Sequence, residues 1–392
     1  MRLLSTAACA AVAVALIAGC SGNVSQTTPS GPSAIGNQSR TQSQVRPLKH
    51  HNEKPRWVFP ANLYDNSAGE TPRFQKTLDL VKARPNSGST AMPKGIYVNQ
   101  FYGAGAMAYQ NRNTGDNPPF CTVPTGIGAD VNGLAFDRNG LLMTPVPVNY
   151  SGLPVLEIWS GPQSGSACGT MVASISDPYG QPSDAASFDA LNGEIIVGNI
   201  FGPSGTAGSI SICSLSAGCT ANLTNYTTMF KVAGVVLASN GDCWASAENP
   251  SGIATLTYFA GCTGGGVQAT GFMNVDYGSL SFDKNGNLVS MDKNPSGISQ
   301  LWVYNGCNPN CTLVGGPFPL DGICGSGTTV CTSVYGIPNK QSMTLAVGTR
   351  TTGSVDVYYY SPTSVTYWYS FTNGLSASGL IEGLAYNPAS LP

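Results

Sequence analysis

The segment Asn132-Gly-Leu-Ala-Phe-Asp-Arg-Asn-Gly140 returns as Gly278-Ser-Leu-Ser-Phe-Asp-Lys-Asn-Gly286. Each copy is a short apolar strand, an Asn-Gly turn, and a second apolar strand: Leu141-Leu142-Met143 in one, Leu288-Val289 in the other. Asn-Gly suits the type I′ turn, whose two central residues both need positive φ. Weaker copies run from Ser187-Phe188-Asp189 to Asn192-Gly193 and from Val235-Val236-Leu237 to Asn240-Gly241. A fifth unit spans Tyr335-Gly336-Ile337 to Leu345-Ala346-Val347. The turn asparagines at 139, 192, 240 and 285 are 53, 48 and 45 residues apart. Third strands follow at Leu156–Trp159, Leu256–Phe259, Leu301–Tyr304 and Val355–Tyr358.

A period of that length with about four strands per unit predicts an all-β propeller. The chain ends supply the sixth blade. Leu380–Tyr386 reads as a first strand with nothing after it. Gly95–Val98 and Ala106–Tyr109 read as second and third strands with nothing before them. Joined, they close a six-bladed β-propeller by pairing the C-terminal strand with the first blade, which removes both sheet edges. A long sandwich or solenoid would leave these terminal units incomplete.

Over residues 94 to 392 the Asn-Gly-Leu-Ala-Phe-Asp-x-Asn-Gly pattern resembles the NHL-repeat and gluconolactonase-like six-bladed propellers. Aligning the units on Phe-Asp-x-Asn-Gly and reading four residues before the Phe gives Glu382, Asn132, Asp184, Ala233, Gly278 and, less regularly, Ser333. Three consecutive blades thus offer oxygen ligands at one end of the channel, chemistry suited to Ca²⁺ or another divalent cation. Gluconolactonase-like enzymes hold a divalent metal in the channel with Glu and Asn or Asp side chains, so the resemblance implies the same use. This chain lacks the longer family motifs, and the plainer reading is a ring of solvated polar residues around a wet channel.

The N-terminus has a positive Arg2, an apolar run from Leu3 to Ala18, and Leu16-Ile17-Ala18-Gly19-Cys20. The run is short for a membrane span, and its end resembles the bacterial lipobox. That resemblance implies a signal peptide over 1–19, cleavage before Cys20, lipidation of Cys20, and a membrane partner through the lipid. Ser21 stands where Asp would imply retention at the inner membrane, so an outer-membrane or cell-surface location in the cell envelope is expected. Residues 20–56 are polar and Pro/Gly-rich with almost no large apolar groups, the composition of a flexible linker. His50-His51 sits among Lys49, Lys54 and Arg56, a solvated basic linker more than a metal site. Residues 57–93 form an extension in which Thr71-Pro72 could start a short helix over Phe74, Leu78 and Val81.

From Trp57 onward 12 basic residues face 19 acidic ones, which argues against nucleic acid as a partner. With Cys9 in the signal and Cys20 lipidated, ten cysteines remain. An even count in an exported chain reads as disulfides. Close pairs are Cys213 with Cys219, Cys307 with Cys311, and Cys324 with Cys331. Cys243 and Cys262 lie on neighbouring strands of one unit, which leaves Cys121 and Cys168. Zinc is disfavoured because no two such pairs share finger-like spacing and no histidine lies beyond residue 51.

A folded region without histidine lacks the commonest general base and the Ser-His-Asp triad. Gly264-Gly265-Gly266 precedes neither a helix nor a lysine and reads as a plain loop. Asp283-x-Asn285-x-Asn287 imitates the start of a calcium loop but coincides with a hairpin turn and lacks the distal Glu. The expected function is a non-catalytic, lipid-anchored module binding a protein or small-molecule ligand, with Tyr358-Tyr359-Tyr360 and Tyr367-Trp368-Tyr369 as loop contacts or outer-strand packing. The alternative is a metal-dependent, lactonase-like hydrolase working in the channel.

Overall fold

The structure is a computed structural model that describes residues 91–100, 105–124, 133–146, 155–161, 165–180, 185–191, 193–200, 207–320, 322, 335–349, 352–377 and 381–388. The chain divides into two units, 1–52 and 53–392, and every described residue lies in the second. The signal peptide, the linker and the short helix over Phe74 therefore lie outside the described residues.

The described strands form six four-stranded antiparallel sheets. Blade 1 runs outward through Ile381–Asn387, Gly95–Gln100, Ala106–Tyr109 and Cys121–Val123. Blade 2 is Ala135–Phe136, Leu142–Val146, Val155–Ser160 and Thr170–Ser176. Blade 3 is Ala185–Leu191, Glu194–Asn199, Ser209–Ser214 and Gly218–Leu223. Blade 4 is Lys231–Leu237, Cys243–Glu248, Ala254–Phe259 and Val267–Gln268. Blade 5 is Leu280–Phe282, Leu288–Lys293, Ser299–Asn305 and Thr312–Pro319, and blade 6 is Tyr335–Pro338, Thr344–Gly348, Val355–Ser361 and Ser364–Phe371. Each innermost strand touches the innermost strand of the next blade, and Ile381–Asn387 touches those of both blade 6 and blade 2. The ring is closed.

Closure follows the register expected from the sequence. Tyr386 pairs with Ile96 and Leu384 with Val98, and both C-terminal side chains are buried. The packing logic lies in the second strands. In a strand, successive side chains point to opposite faces, and here both faces are covered by a neighbouring blade. Leu142 joins the cluster between blades 1 and 2, and Met143 the one between blades 2 and 3. Leu288 and Val289 divide in the same way between two further clusters. This is why these strands read as continuous apolar runs.

The Asn-Gly turns of blades 2 and 5 differ from the expected type I′ geometry. Gly140 and Gly286 have φ of +76° each, but Asn139 and Asn285 do not have positive φ. Each turn is a wider loop organised by the preceding Asp. Asp137 Oδ1 accepts from Asn139 N (2.8 Å) and Leu141 N (2.9 Å). Asp283 Oδ1 accepts from Asn285 N (2.8 Å) and Asn287 N (2.9 Å). A carboxylate that takes two backbone N–H groups favours a type I turn followed by a left-handed Gly. The repeated Asp is thus a turn former.

Four disulfides join Cys121–Cys168, Cys213–Cys219, Cys243–Cys262 and Cys307–Cys311, as the spacing suggested. Cys324 and Cys331 lie outside the described residues. Cys121–Cys168 ties blade 1 to blade 2, beside a parallel bridge between Thr122 and Ala167. Met92, assigned from sequence to the extension, is buried in this same interface, and its N–H donates to Gly140 O (3.1 Å).

Deleting residues 379–392 should abolish folding. It strips blade 1 of its innermost strand and removes the buried Ile381, Leu384 and Tyr386, each contributing about 1.5–3 kcal/mol on full burial. A truncated chain that stays soluble with an unchanged Tm would contradict the closure.

Candidate functional site

The innermost strands turn into the second strands at one end of the ring, the turn face. At the other end, the loop face, the connectors between blades meet the hairpins joining second and third strands. In blades 1, 3 and 4 the innermost strand carries a β-bulge at the loop face, and the residues skipped by the pairing are Glu382, Ala186 and Ala233. Bulges recur next to functional sites because they re-aim one residue out of the ladder. Glu382 and Ala233 fall where the repeat alignment put them. Asp184 does not fall on the blade 3 bulge, because that blade's hairpin closes more tightly, with Leu191 opposite Glu194. Phe188, opposite Val197, is therefore not the counterpart of Phe136, opposite Leu142. Asn132, Asp184 and the side chain of Glu382 lie outside the described residues, as does Ser333.

Close to the bulges the strands approach backbone to backbone. A Cβ on Gly383 would lie 2.7 Å from the Gly133 carbonyl carbon, and one on Gly234 would collide with the carbonyl oxygen of Gly278. Glycine permits this approach.

At the loop face Asp276 and Glu248 are half-buried and ion-paired, with Lys293 (3.1 Å) and Lys231 (3.3 Å), while Asp177, Asp292 and Asp356 are buried and engaged in holding chain. Asp177, after the outer strand of blade 2, accepts from Tyr179 N (2.9 Å) and meets Asn199 Nδ2 at 3.4 Å. Asn199 Nδ2 also reaches Ser211 Oγ at 2.8 Å. Asp292 accepts from Val275 N (2.7 Å) and from Trp302 Nε1 (3.0 Å). Asp356 accepts from Ser370 Oγ (2.6 Å) and stands beside a hydroxyl chain through Ser354, Thr349 and Thr352. Gln100 holds the connector from blade 6, accepting from Ser376 N (2.9 Å) and donating to Ser376 O (3.0 Å). Burial raises the carboxyl pKa of both Asp177 and Asp292, outweighing the hydrogen bonds that lower it. Exposed apolar side chains stand among the connectors and hairpins, Ile253 (60%), Val275 (52%) and Met273 (45%), interspersed with exposed polar ones such as Ser251, Ser296, Thr372 and Asn373.

The buried polar ties escaped sequence reading because they join residues far apart in the chain and out of step with the repeat. The two aromatic triplets are not loops. They lie on the third and outer strands of blade 6, where Tyr358 and Tyr360 are buried and Tyr359 stacks on Trp368 at 4.6 Å. Asp283 organises its turn as expected, also accepting from Asn287 Nδ2 (2.9 Å) and Tyr360 OH (3.2 Å). Among the described residues no group of three His, Cys, Asp or Glu side chains is placed to hold a metal ion.

No family model matches the chain, and no curated protein matches it in sequence. Solved propellers resemble it in fold. The periplasmic gluconolactonase PpgL of Pseudomonas aeruginosa superposes with a TM-score of 0.49 at 11% identity, covering 76% of this chain and 99% of its own. A Bacteroides fragilis protein provisionally named a 6-phosphogluconolactonase gives 0.47 at 12% identity over 77% and 99%. A Lactobacillus plantarum protein gives 0.47 at 9% identity over 71% and 82%.

The buried carboxyls yield a pH signature. Because the native pKa of Asp177 is raised, its charged form is the disfavoured one in the fold. Its contribution to stability is greatest below the unfolded pKa and falls as pH rises through the native value. Urea unfolding of wild type and Asp177→Asn between pH 3.5 and 7 should show the variant gaining relative stability as pH rises. A relative loss with rising pH would contradict the assignment.

Proposed function

We propose that this chain is an exported, lipid-anchored propeller module whose loop face binds a protein or small-molecule ligand at the cell surface. The observation that carries this reading is the division of labour at that face. Its buried acids Asp177, Asp292 and Asp356 hold chain, its half-buried Asp276 and Glu248 are neutralised by Lys293 and Lys231, and exposed apolar side chains such as Ile253, Met273 and Val275 stand on the connectors and hairpins. Exposed apolar groups gathered on loops over a rigid scaffold suit recognition of a partner.

A second reading rests on the bulge at Glu382. There the chain would be a metal-dependent, lactonase-like hydrolase, with Glu382 and Asn132 offered to Ca²⁺ or another divalent ion.

Two measurements test the proposal. Replacing Cys20 with Ser should move the protein out of the membrane fraction of its host, and unchanged fractionation would remove the anchor. Metal analysis of the purified protein, paired with a lactone hydrolysis assay, should find substoichiometric divalent metal and no turnover. Stoichiometric metal with hydrolysis abolished by Glu382→Gln would establish the hydrolase instead.

A further inference from the structure

On the turn face, between blades 4 and 5, a cleft of about 300 Å³ opens. Its floor is Trp244, Phe282 and Leu288, with the Trp244 and Phe282 rings edge to face at 5.4 Å. Its rim carries Ser239, Asn305 and Asn308, all exposed. None of the lining side chains is charged.

The cleft is pre-formed. Its blade 5 wall is held by Cys307–Cys311, and Cys243–Cys262 braces blade 4 from its far face, toward blade 3. Trp244 Nε1 donates to Cys307 O at 2.6 Å, joining floor to wall across the blade boundary. Outside, Thr270 N donates to Pro309 O (3.0 Å) and Cys311 N to Thr270 O (2.8 Å), which fixes the blade 5 loop against blade 4. The rim amides are not all equivalent. Asn240, also at the rim, gives both amide ends to Asp242 (2.8 and 3.0 Å). Among the described residues the amides of Asn305 and Asn308 hold no protein partner, and they present two donors and an acceptor each to the opening.

We propose that this cleft binds an uncharged, hydroxyl-rich ligand of the size of one sugar ring. An aromatic and aliphatic floor accepts the C–H face of such a ring, free carboxamides pair with its hydroxyls, and a lining without charge offers nothing to an ionic substituent. The volume lies at the lower end of small-molecule sites, which suits a single ring better than an extended chain. This site is at the opposite end of the ring from the loop face and stands whichever reading of that face holds.

The test uses the full processed chain and a panel of methyl pyranosides, with glucuronate and glucosamine as charged comparators. Saturation-transfer NMR should detect the neutral glycosides with a Kd on the order of 1 mM, typical of a small ligand making few contacts. Asn305→Ala with Asn308→Ala should weaken binding at least tenfold without lowering the Tm, because both side chains are exposed. Tyr359→Ala, on the aromatic pair of blade 6, should leave binding unchanged. No saturation by any neutral glycoside, undiminished binding in the Asn variant, equal binding of charged and neutral sugars, or loss in the Tyr359 variant would each overturn the proposal.

Discussion

The second strand of each blade is buried on both faces, and the rest of the architecture follows from that constraint. Neighbouring residues on such a strand serve two different hydrophobic clusters, as Cys243 and Trp244 do on either side of blade 4. No blade can then bury its apolar groups alone, and stability requires a complete ring. That is why the chain draws its two ends together in blade 1, where Ile381–Asn387 pairs with Gly95–Gln100. The outer strands have no further layer over them, and it is there that disulfides accumulate. On chain-entropy grounds, Cys121–Cys168, closing a separation of 47 residues, stabilises by about 4 kcal/mol, against about 2.4 kcal/mol for the separation of 6 at Cys213–Cys219.

Charge is scarce in this chain, and the aspartates described here are used as backbone acceptors. Asp137, Asp177, Asp283 and Asp292 each take two or more N–H or O–H groups. Desolvation penalises the anion, yet an unsatisfied buried N–H costs about 1–3 kcal/mol. A carboxylate holding two of them offsets part of its own burial. Aspartates in these places mark turns and connectors.

Much of the fold was legible in the sequence because turns and apolar strands recur with a fixed order. The ring closure could be read from Leu384 and Tyr386 because their spacing repeats that of Leu134 and Phe136. The type I′ expectation failed because the local dipeptide was read without the Asp two residues before it, whose carboxylate selects a different turn. The channel column was legible only in part. Glu382 and Ala233 sit on bulges, but one tighter hairpin in blade 3 moves the register so that Ala186, not Asp184, takes the equivalent place. A bulge or a shortened turn changes which residue faces the site while leaving the apolar pattern almost intact. The Asp177–Asn199 and Asp292–Trp302 ties have no periodic signal at all.

The same reasoning explains why the two ends of the ring differ in what they can recognise. At the turn face, short loops are fixed by aspartates, and the disulfide Cys307–Cys311 stands in the wall of the cleft between blades 4 and 5. A surface already held in one shape loses little conformational freedom on binding, so a few contacts to a small ligand are enough to show as affinity. At the loop face, connectors are tied at several points each, that between blades 4 and 5 through Met273 N, Asn274 and Val275 N and that between blades 6 and 1 through Thr372, Asn373 and Ser376, while the side chains of Met273 and Val275 stand clear. Those exposed apolar side chains are spread over separate connectors and hairpins, and covering them together takes a larger area, which a macromolecular partner would supply more readily than a single small molecule.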